Sequence, residues 1–287
     1  MIAAQEASVR GKVVVITGAT AGIGKSAAER LAGLGARIVM VARDRGRADQ
    51  ALARLRAIAP NAAHCAYYAD LSLLGEVKRV GAEIASAEPR IDVLVNNAGG
   101  FFPTRKITAE GIERTFALNH MAYFVLTHCL RERLLAAAPA RIISTASVAH
   151  LPRVIDFDDL QTRKRYGLLV AYGRSKLCNI LFTRELARRL AGTGVTANCV
   201  DPGVVATNLG QRDGGLFGVL MRVAMLFVGR PDKAVDTIAY LVGSPEVADV
   251  SGRNFFGRRQ AWQSRAAQDD EVARRLWQES ARIAGFE

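Results

Sequence analysis

The stretch Val13-Val14-Val15-Ile16-Thr17-Gly18-Ala19-Thr20-Ala21-Gly22-Ile23-Gly24 decides the fold. Its first five residues, Val13 to Thr17, form a short β-branched, mostly apolar run of the kind found in strands buried on both faces. Three glycines follow in the spacing Gly-x-x-x-Gly-x-Gly, and a helical pattern opens over Gly24 to Leu34. Glycine lets the backbone turn sharply and approach a pyrophosphate closely. Amides at the helix N-terminus then stabilise the phosphate charge. A glycine count alone would be an ordinary turn; its placement between a strand and a helix makes it a nucleotide-binding feature.

Working outward, the strand-helix rhythm repeats. Arg37 to Val41 is expected as a strand and Arg45 to Ile58 as a helix. Further strands are expected at His64 to Ala69, Ile91 to Asn96, Arg141 to Thr145 and Val195 to Val200, separated by helical stretches such as Ile112 to Ala138 and Val170 to Ala191. Short apolar strands between long helices predict an α/β fold, a doubly wound, Rossmann-type parallel sheet with helices on both faces. No repeat, low-complexity tract or linker divides the chain, so residues 1–287 are expected as one domain. The least regular part, about 206–229, falls after the sixth strand, where a substrate-covering segment is expected. Within it Leu216 to Val228 is mostly apolar, short for a membrane span and broken by Arg222. Such a helix should form a lid over the pocket, enter the core or a subunit interface, or rest on a lipid surface.

Half of the 287 residues are apolar and 23% are charged, which suits a folded core and excludes wholesale disorder. The formal charge is +12, but the arginines, among them Arg184, Arg188 and Arg189, are scattered along helices with no basic run interleaved with aromatics. This reads as a solvated basic surface and not as a nucleic-acid site. Cys65, Cys129, Cys178 and Cys199 show no CxxC pairing and are expected as buried free thiols of a reducing compartment. Met1 to Lys12 has no apolar core of signal-peptide length, and no apolar run reaches the roughly 18 to 20 residues of a membrane span. A cytoplasmic protein is therefore expected.

Tyr172 and Lys176 stand four apart in a helical stretch, on one face and about one turn from each other. Reducing a carbonyl by hydride leaves charge on the oxygen, so a proton donor must sit beside it. A free tyrosine titrates near 10, and a neighbouring ammonium such as that of Lys176 would favour its phenolate. Ser144 and Tyr166 are weaker candidates, since Ser147 better fits the pattern Ser-x-Ala-His and Tyr166 has no lysine four residues on. His150 reads equally well as catalytic or as a loop-positioning residue. No cluster of His, Cys, Asp and Glu has metal-ligand spacing.

The glycine loop, Asn96-Asn97-Ala98-Gly99, Asn119, Ser147, Tyr172-x-x-x-Lys176 and Pro202-Gly203 come in an order that resembles the short-chain dehydrogenase/reductase family. The resemblance covers Val13 to about Thr207. It implies catalysis by Asn119, Ser147, Tyr172 and Lys176: Ser147 bonding the substrate oxygen, Lys176 also holding the nicotinamide ribose, and Asn119 positioning a relay water. It implies cofactor contacts from Gly18, Thr20, Gly22, Ile23, Gly24, Asp70, Leu71, Asn97, Ala98, Gly99, Pro202, Gly203, Val205 and Thr207. Arg43 ends the second strand, where family members that use NADP carry a basic residue for the 2′-phosphate. NADP(H) is therefore favoured over NAD(H). Asp201 departs from the histidine of near relatives at this position.

Ser147 and Tyr172 are 25 positions apart, wider than in the family's shorter members, with Pro152 to Leu169 as the added segment. That segment contains Asp158-Asp159-Leu160. With the run Ala171-Tyr172-Gly173-Arg174-Ser175-Lys176-Leu177-Cys178-Asn179 and then Phe182-Thr183-Arg184-Glu185-Leu186, it is similar to the retinol dehydrogenase-like branch. The resemblance implies a small lipophilic alcohol, aldehyde or ketone as substrate, no nucleic-acid partner, at most peripheral membrane contact, and a homodimer or homotetramer. Two other readings fit the same residues. A non-catalytic NADP(H) sensor would tend to lose Tyr172 or Lys176, and an epimerase or dehydratase would tend to have a different glycine spacing and a longer C-terminal domain.

Overall fold

A computed structural model of the chain describes residues 9–203 and 232–286. It forms one eight-stranded sheet in the order β3-β2-β1-β4-β5-β6-β7-β8, parallel except for the last pair. The elements are β1 (Val13–Thr17), α1 (Gly22–Gly33), β2 (Arg37–Ala42), α2 (Arg45–Ile58), β3 (Cys65–Tyr68), α3 (Leu74–Ala87), β4 (Val93–Asn96), α4 (Ala122–Ala136), β5 (Ala140–Thr145), α5 (Leu168–Arg189), β6 (Val195–Val200), α6 (Asp232–Gly243), β7 (Asn254–Phe256), β8 (Arg259–Gln260) and α7 (Asp270–Ala284).

The β1 residues show why the sheet is covered on both faces. Successive strand residues point to opposite sides. Val15 packs into the core beneath α3, α4 and α5, whereas Val14 and Ile16 pack into the core beneath α1, α2 and α6. The chain runs outward from β1 to β3 and then returns to place β4 on the other side of β1. The crevice at this change of direction, beyond the carboxyl ends of β1 and β4, is where such sheets bind ligands.

The expected single helix over Ile112 to Ala138 is instead broken. A turn at Arg114–Phe116, capped by the Glu113 carboxylate through the amides of Thr115 and Phe116, leads into a π-helical segment, Ala117–Met121, before α4. α4 ends at Ala136, ahead of Pro139, which cannot continue an α-helix hydrogen-bond ladder. Other differences lie at element ends, as with α1 and α5, which each begin two residues earlier than expected.

The arginines of α5 are not a free basic surface. Arg188 and Arg189 both pair with Glu185, and Arg184 and Arg188 pair with Asp270 at the start of α7. α7 completes the layer by stacking Trp277 on Phe182, with ring centroids 5.8 Å apart. Cys178 and Cys199 are buried as expected, but Cys65 and Cys129 are only partly so. Among the described residues, no helix is long and apolar enough to cross a membrane. The segment about 206–229, including Leu216 to Val228, lies outside the described residues, as do Val205 and Thr207.

Candidate active site

The glycine loop is built so that only glycine fits at two positions. Gly18 has φ +72°, and a Cβ there would lie 2.9 Å from Ala98 Cα. A Cβ on Gly24 would lie 2.4 Å from the Gly18 carbonyl oxygen and 2.3 Å from Asn97 Nδ2. Thr17 ties this loop to the one after β4: its Oγ1 accepts from the amides of Asn97 and Ala98, both at 2.9 Å, and Asn97 Nδ2 donates back to the Thr17 carbonyl at 3.0 Å. The cradle is therefore set by backbone approach, with no side-chain cap on the first amides of α1. This leaves the loop and helix start shaped for a pyrophosphate.

A cleft of about 920 Å³ opens there. Gly18, Thr20, Gly22, Ile23 and Gly24 line its base, with Asn97, Ala98 and Gly99 beside them. Arg43, Asp70 and Leu71 line one end, and Tyr172, Lys176, Pro202 and Gly203 also face it. Asn119 and Ser147 are not among the residues that line it. At the β2 end, Arg43 lies 3.6 Å from Asp70 and both are well exposed, so the pair is weak and the guanidinium is free to exchange partners. Arg47, which sequence reasoning missed, lines the same end. Asp44 caps α2 by accepting from the Arg47 amide at 2.9 Å. Burial pushes the Asp70 carboxyl up, but the Ser72 amide and hydroxyl and the Arg43 charge together hold it below its ordinary value.

At the other end, α5 carries Tyr172 and Lys176 on one face. Ser147 stands near enough to the Tyr172 hydroxyl to favour its phenolate, and its Oγ accepts from the Ala149 amide at 3.3 Å. Phe101 meets the Tyr172 ring edge-on, centroids 5.0 Å apart. Lys176 Nζ lies 5.6 Å from the Tyr172 ring centre and donates to the Thr145 carbonyl at 2.9 Å. Burial dominates and pushes Tyr172 up to about 12, while burial lowers Lys176 to about 8.

Asn119 sits in the π-helical segment. Its Oδ1 accepts from the Gly100 amide at 2.7 Å, and its Nδ2 donates to the Gly100 carbonyl and to Ser175 Oγ, both at 3.0 Å. The side chain thus fixes the loop after β4. Its carbonyl accepts from Asn179 Nδ2 at 2.9 Å, and the same Nδ2 reaches the Thr145 carbonyl at 3.1 Å. Asn179 therefore braces the carbonyl that receives Lys176; its position one turn beyond Lys176 was the only sequence signal for it. Behind it, His120 is fully buried between Asn179 Oδ1 at 3.4 Å and Ser280 Oγ at 2.9 Å, and burial lowers its pKa to about 4.

His150 Nδ1 lies 2.7 Å from the Ser147 carbonyl, the geometry of a loop-positioning residue. The decoys stay structural: Ser144 is buried within β5, and the Tyr166 hydroxyl donates to the Phe102 carbonyl at 2.7 Å. Among the described residues, no group of His, Cys, Asp and Glu could hold a metal ion.

A dinucleotide cradle joined to a tyrosine-lysine pair defines a class, and the comparisons agree with it. The chain matches the short chain dehydrogenase family over residues 12–214 and belongs to that family, the nicotinamide-nucleotide-dependent short-chain dehydrogenases/reductases. Within the family it is related to retinol dehydrogenases. It is 43% identical to human retinol dehydrogenase 13 over 290 residues, covering 98% of this chain and 87% of that protein. It is 39% identical to mouse retinol dehydrogenase 12 over 277 residues, covering 96% and 87%. A Burkholderia cenocepacia short chain dehydrogenase solved in complex with NADP shares the fold with a TM-score of 0.69 and 29% identity, over 86% of this chain and 96% of that one.

Proposed function

We propose that the protein is an NADP(H)-dependent oxidoreductase that interconverts an alcohol and an aldehyde or ketone on a lipophilic, retinoid-like or other apolar substrate. One observation carries the reading: Tyr172 stands in the same cleft as the glycine loop and Lys176. The glycine loop would hold a nicotinamide nucleotide, which when bound would supply or accept the hydride. During reduction, negative charge grows on the substrate oxygen, and Tyr172 donates its proton from Oη. Because burial pushes Tyr172 up to about 12, the proton is present at neutral pH, which favours the acid role. Ser147 Oγ holds the substrate oxygen beside Tyr172. In the reverse direction Tyr172 must first release its proton, so oxidation gains at higher pH. Lys176 supports the site as an ammonium below about pH 8. Asn119 and Asn179 are positioning residues.

The apolar substrate follows from Phe101, Phe102 and Pro103 along the cleft wall, and from the relation to proteins named retinol dehydrogenases. The reading is tested by NADPH consumption across aliphatic, aromatic and terpenoid aldehydes and ketones. Bulky apolar carbonyls should give the highest kcat/KM. Equal turnover of small polar and bulky apolar carbonyls would overturn the substrate class, and no consumption with any of them would overturn the reaction.

NADP(H) is favoured because Arg43 and Arg47 stand at the adenosine end, while Asp44 is engaged in the α2 cap. Arg43→Ala should weaken NADPH binding about tenfold to a hundredfold, the worth of a charge-assisted pair, with little change for NADH. Titrating both nucleotides against both proteins checks this, and equal affinities in the parent would reject the assignment.

A further inference from the structure

The cleft wall beside Tyr172 is a stretch without helix or strand, Gly99 to Thr104, so its backbone groups must find partners among side chains. Gly100 is held at both its amide and its carbonyl by Asn119. Two residues on, the Phe102 carbonyl accepts from the Tyr166 hydroxyl at 2.7 Å. The Phe102 ring folds back over Gly100, where a Cβ would lie 2.4 Å from its Cζ, and the Arg114 guanidinium covers it at 4.4 Å from the ring centre. Phe101 lies between the two anchors and turns its ring edge-on to Tyr172, centroids 5.0 Å apart. A shift at Phe102 therefore reaches the residue that touches Tyr172.

Tyr166 comes from the segment added between Ser147 and Tyr172. A second side chain of that segment, Gln161, accepts from the Glu113 amide at 2.9 Å. The Glu113 carboxylate in turn accepts from the Thr115 hydroxyl at 2.8 Å, and Thr115 Oγ1 lies 3.3 Å from Tyr166 Oη. The segment is thus fastened to the rim of the cleft at two points. Between them Thr162 is 2% exposed and has φ +50°. A β-branched residue takes this left-handed conformation only where the surrounding structure over-determines it, and such strain gathers at functional sites. Of the two fastenings, Tyr166 is the one that holds a residue lining the cleft.

We propose that Tyr166 is a specificity-determining positioning residue: its hydroxyl holds the Phe102 carbonyl so that Phe101, Phe102 and Pro103 stand as a fixed apolar wall for the body of a bulky substrate. The added segment then acts on substrate choice and not on proton transfer. The substrate half of the inference rests on the oxidoreductase reading; the brace on Phe102 does not.

The test is Tyr166→Phe, which removes one hydroxyl and keeps the ring. With NADPH saturating, KM for all-trans-retinal should rise about threefold to tenfold, the worth of one neutral hydrogen bond, while KM for propanal and kcat for both change little. Amide hydrogen exchange across residues 100–104 should quicken in the variant. The Kd of retinal for the NADP+ complex, read by quenching of protein fluorescence, should rise with KM. Equal effects on retinal and propanal, or a fall in kcat with KM unchanged, would overturn the inference, as would exchange and retinal binding that match the parent. A Tyr166→Phe variant that does not fold would also overturn it, since the hydroxyl would then hold the fold as a whole. A parent that consumes no NADPH with either carbonyl would count against the oxidoreductase reading alone, because exchange and retinal binding still decide whether Tyr166 sets the wall.

Discussion

Tyr172→Phe is expected to lower kcat by about a hundredfold to ten-thousandfold while leaving NADPH affinity within severalfold of the parent, the range of a lost general acid. The ring contributes packing that phenylalanine keeps: the edge-on contact with Phe101 at 5.0 Å and the Lys176 Nζ 5.6 Å from its centre. What is lost is the hydroxyl, and with it the transferable proton. Lys176→Ala should instead weaken turnover and NADPH binding together, since it removes a buried cation and frees the Thr145 carbonyl that it bonds. Steady-state kinetics and nucleotide titration on the three proteins separate these effects. A Tyr172→Phe variant that retained full activity on a substrate of the parent would remove Tyr172 from the mechanism.

The second large effect concerns acid stability. His120 is buried between Asn179 and Ser280, and its pKa falls from 6.5 to about 4 because burial disfavours the imidazolium. Between those values the unfolded chain binds a proton at this position that the folded chain refuses. Stability is therefore full above about pH 6.5 and is lost as pH falls towards 4, by roughly 3 kcal/mol. Burial also lowers His64 and His128, so they act with the same sign, and the measurement must isolate His120. Urea unfolding between pH 7 and pH 4 should show a shallower decline in His120→Gln than in the parent. Parallel curves would show that His120 does not titrate in this way.

Much of the candidate site was legible because its chemistry is local. The need for glycine at Gly18 and Gly24 follows from a turn and a close approach within a few residues of chain, and the shared face of Tyr172 and Lys176 follows from helical spacing. The β-branched run at Val13 to Thr17 likewise declares a buried strand, and its alternation sends Val14 and Val15 into separate cores. The first six strands were readable for the same reason. The last part of the sheet was not: β7 has three residues and β8 two, too few for a pattern.

What only the tertiary structure decided are the partners and the charge states. Asn119 stands out in sequence, but only the break in the helix aims it at Gly100 and Ser175 instead of the cleft. Arg184 and Arg188 look like surface cations until α7 brings Asp270 against them. The spacing of Tyr172 and Lys176 says that they can share a site. Which way each titrates depends on burial and, for Lys176, on the Thr145 carbonyl, which the chain brings in from another strand. The physical reason is one of range. Backbone conformation and helical facing are set by residues within about one turn, whereas desolvation and ion pairing depend on every element packed around a group.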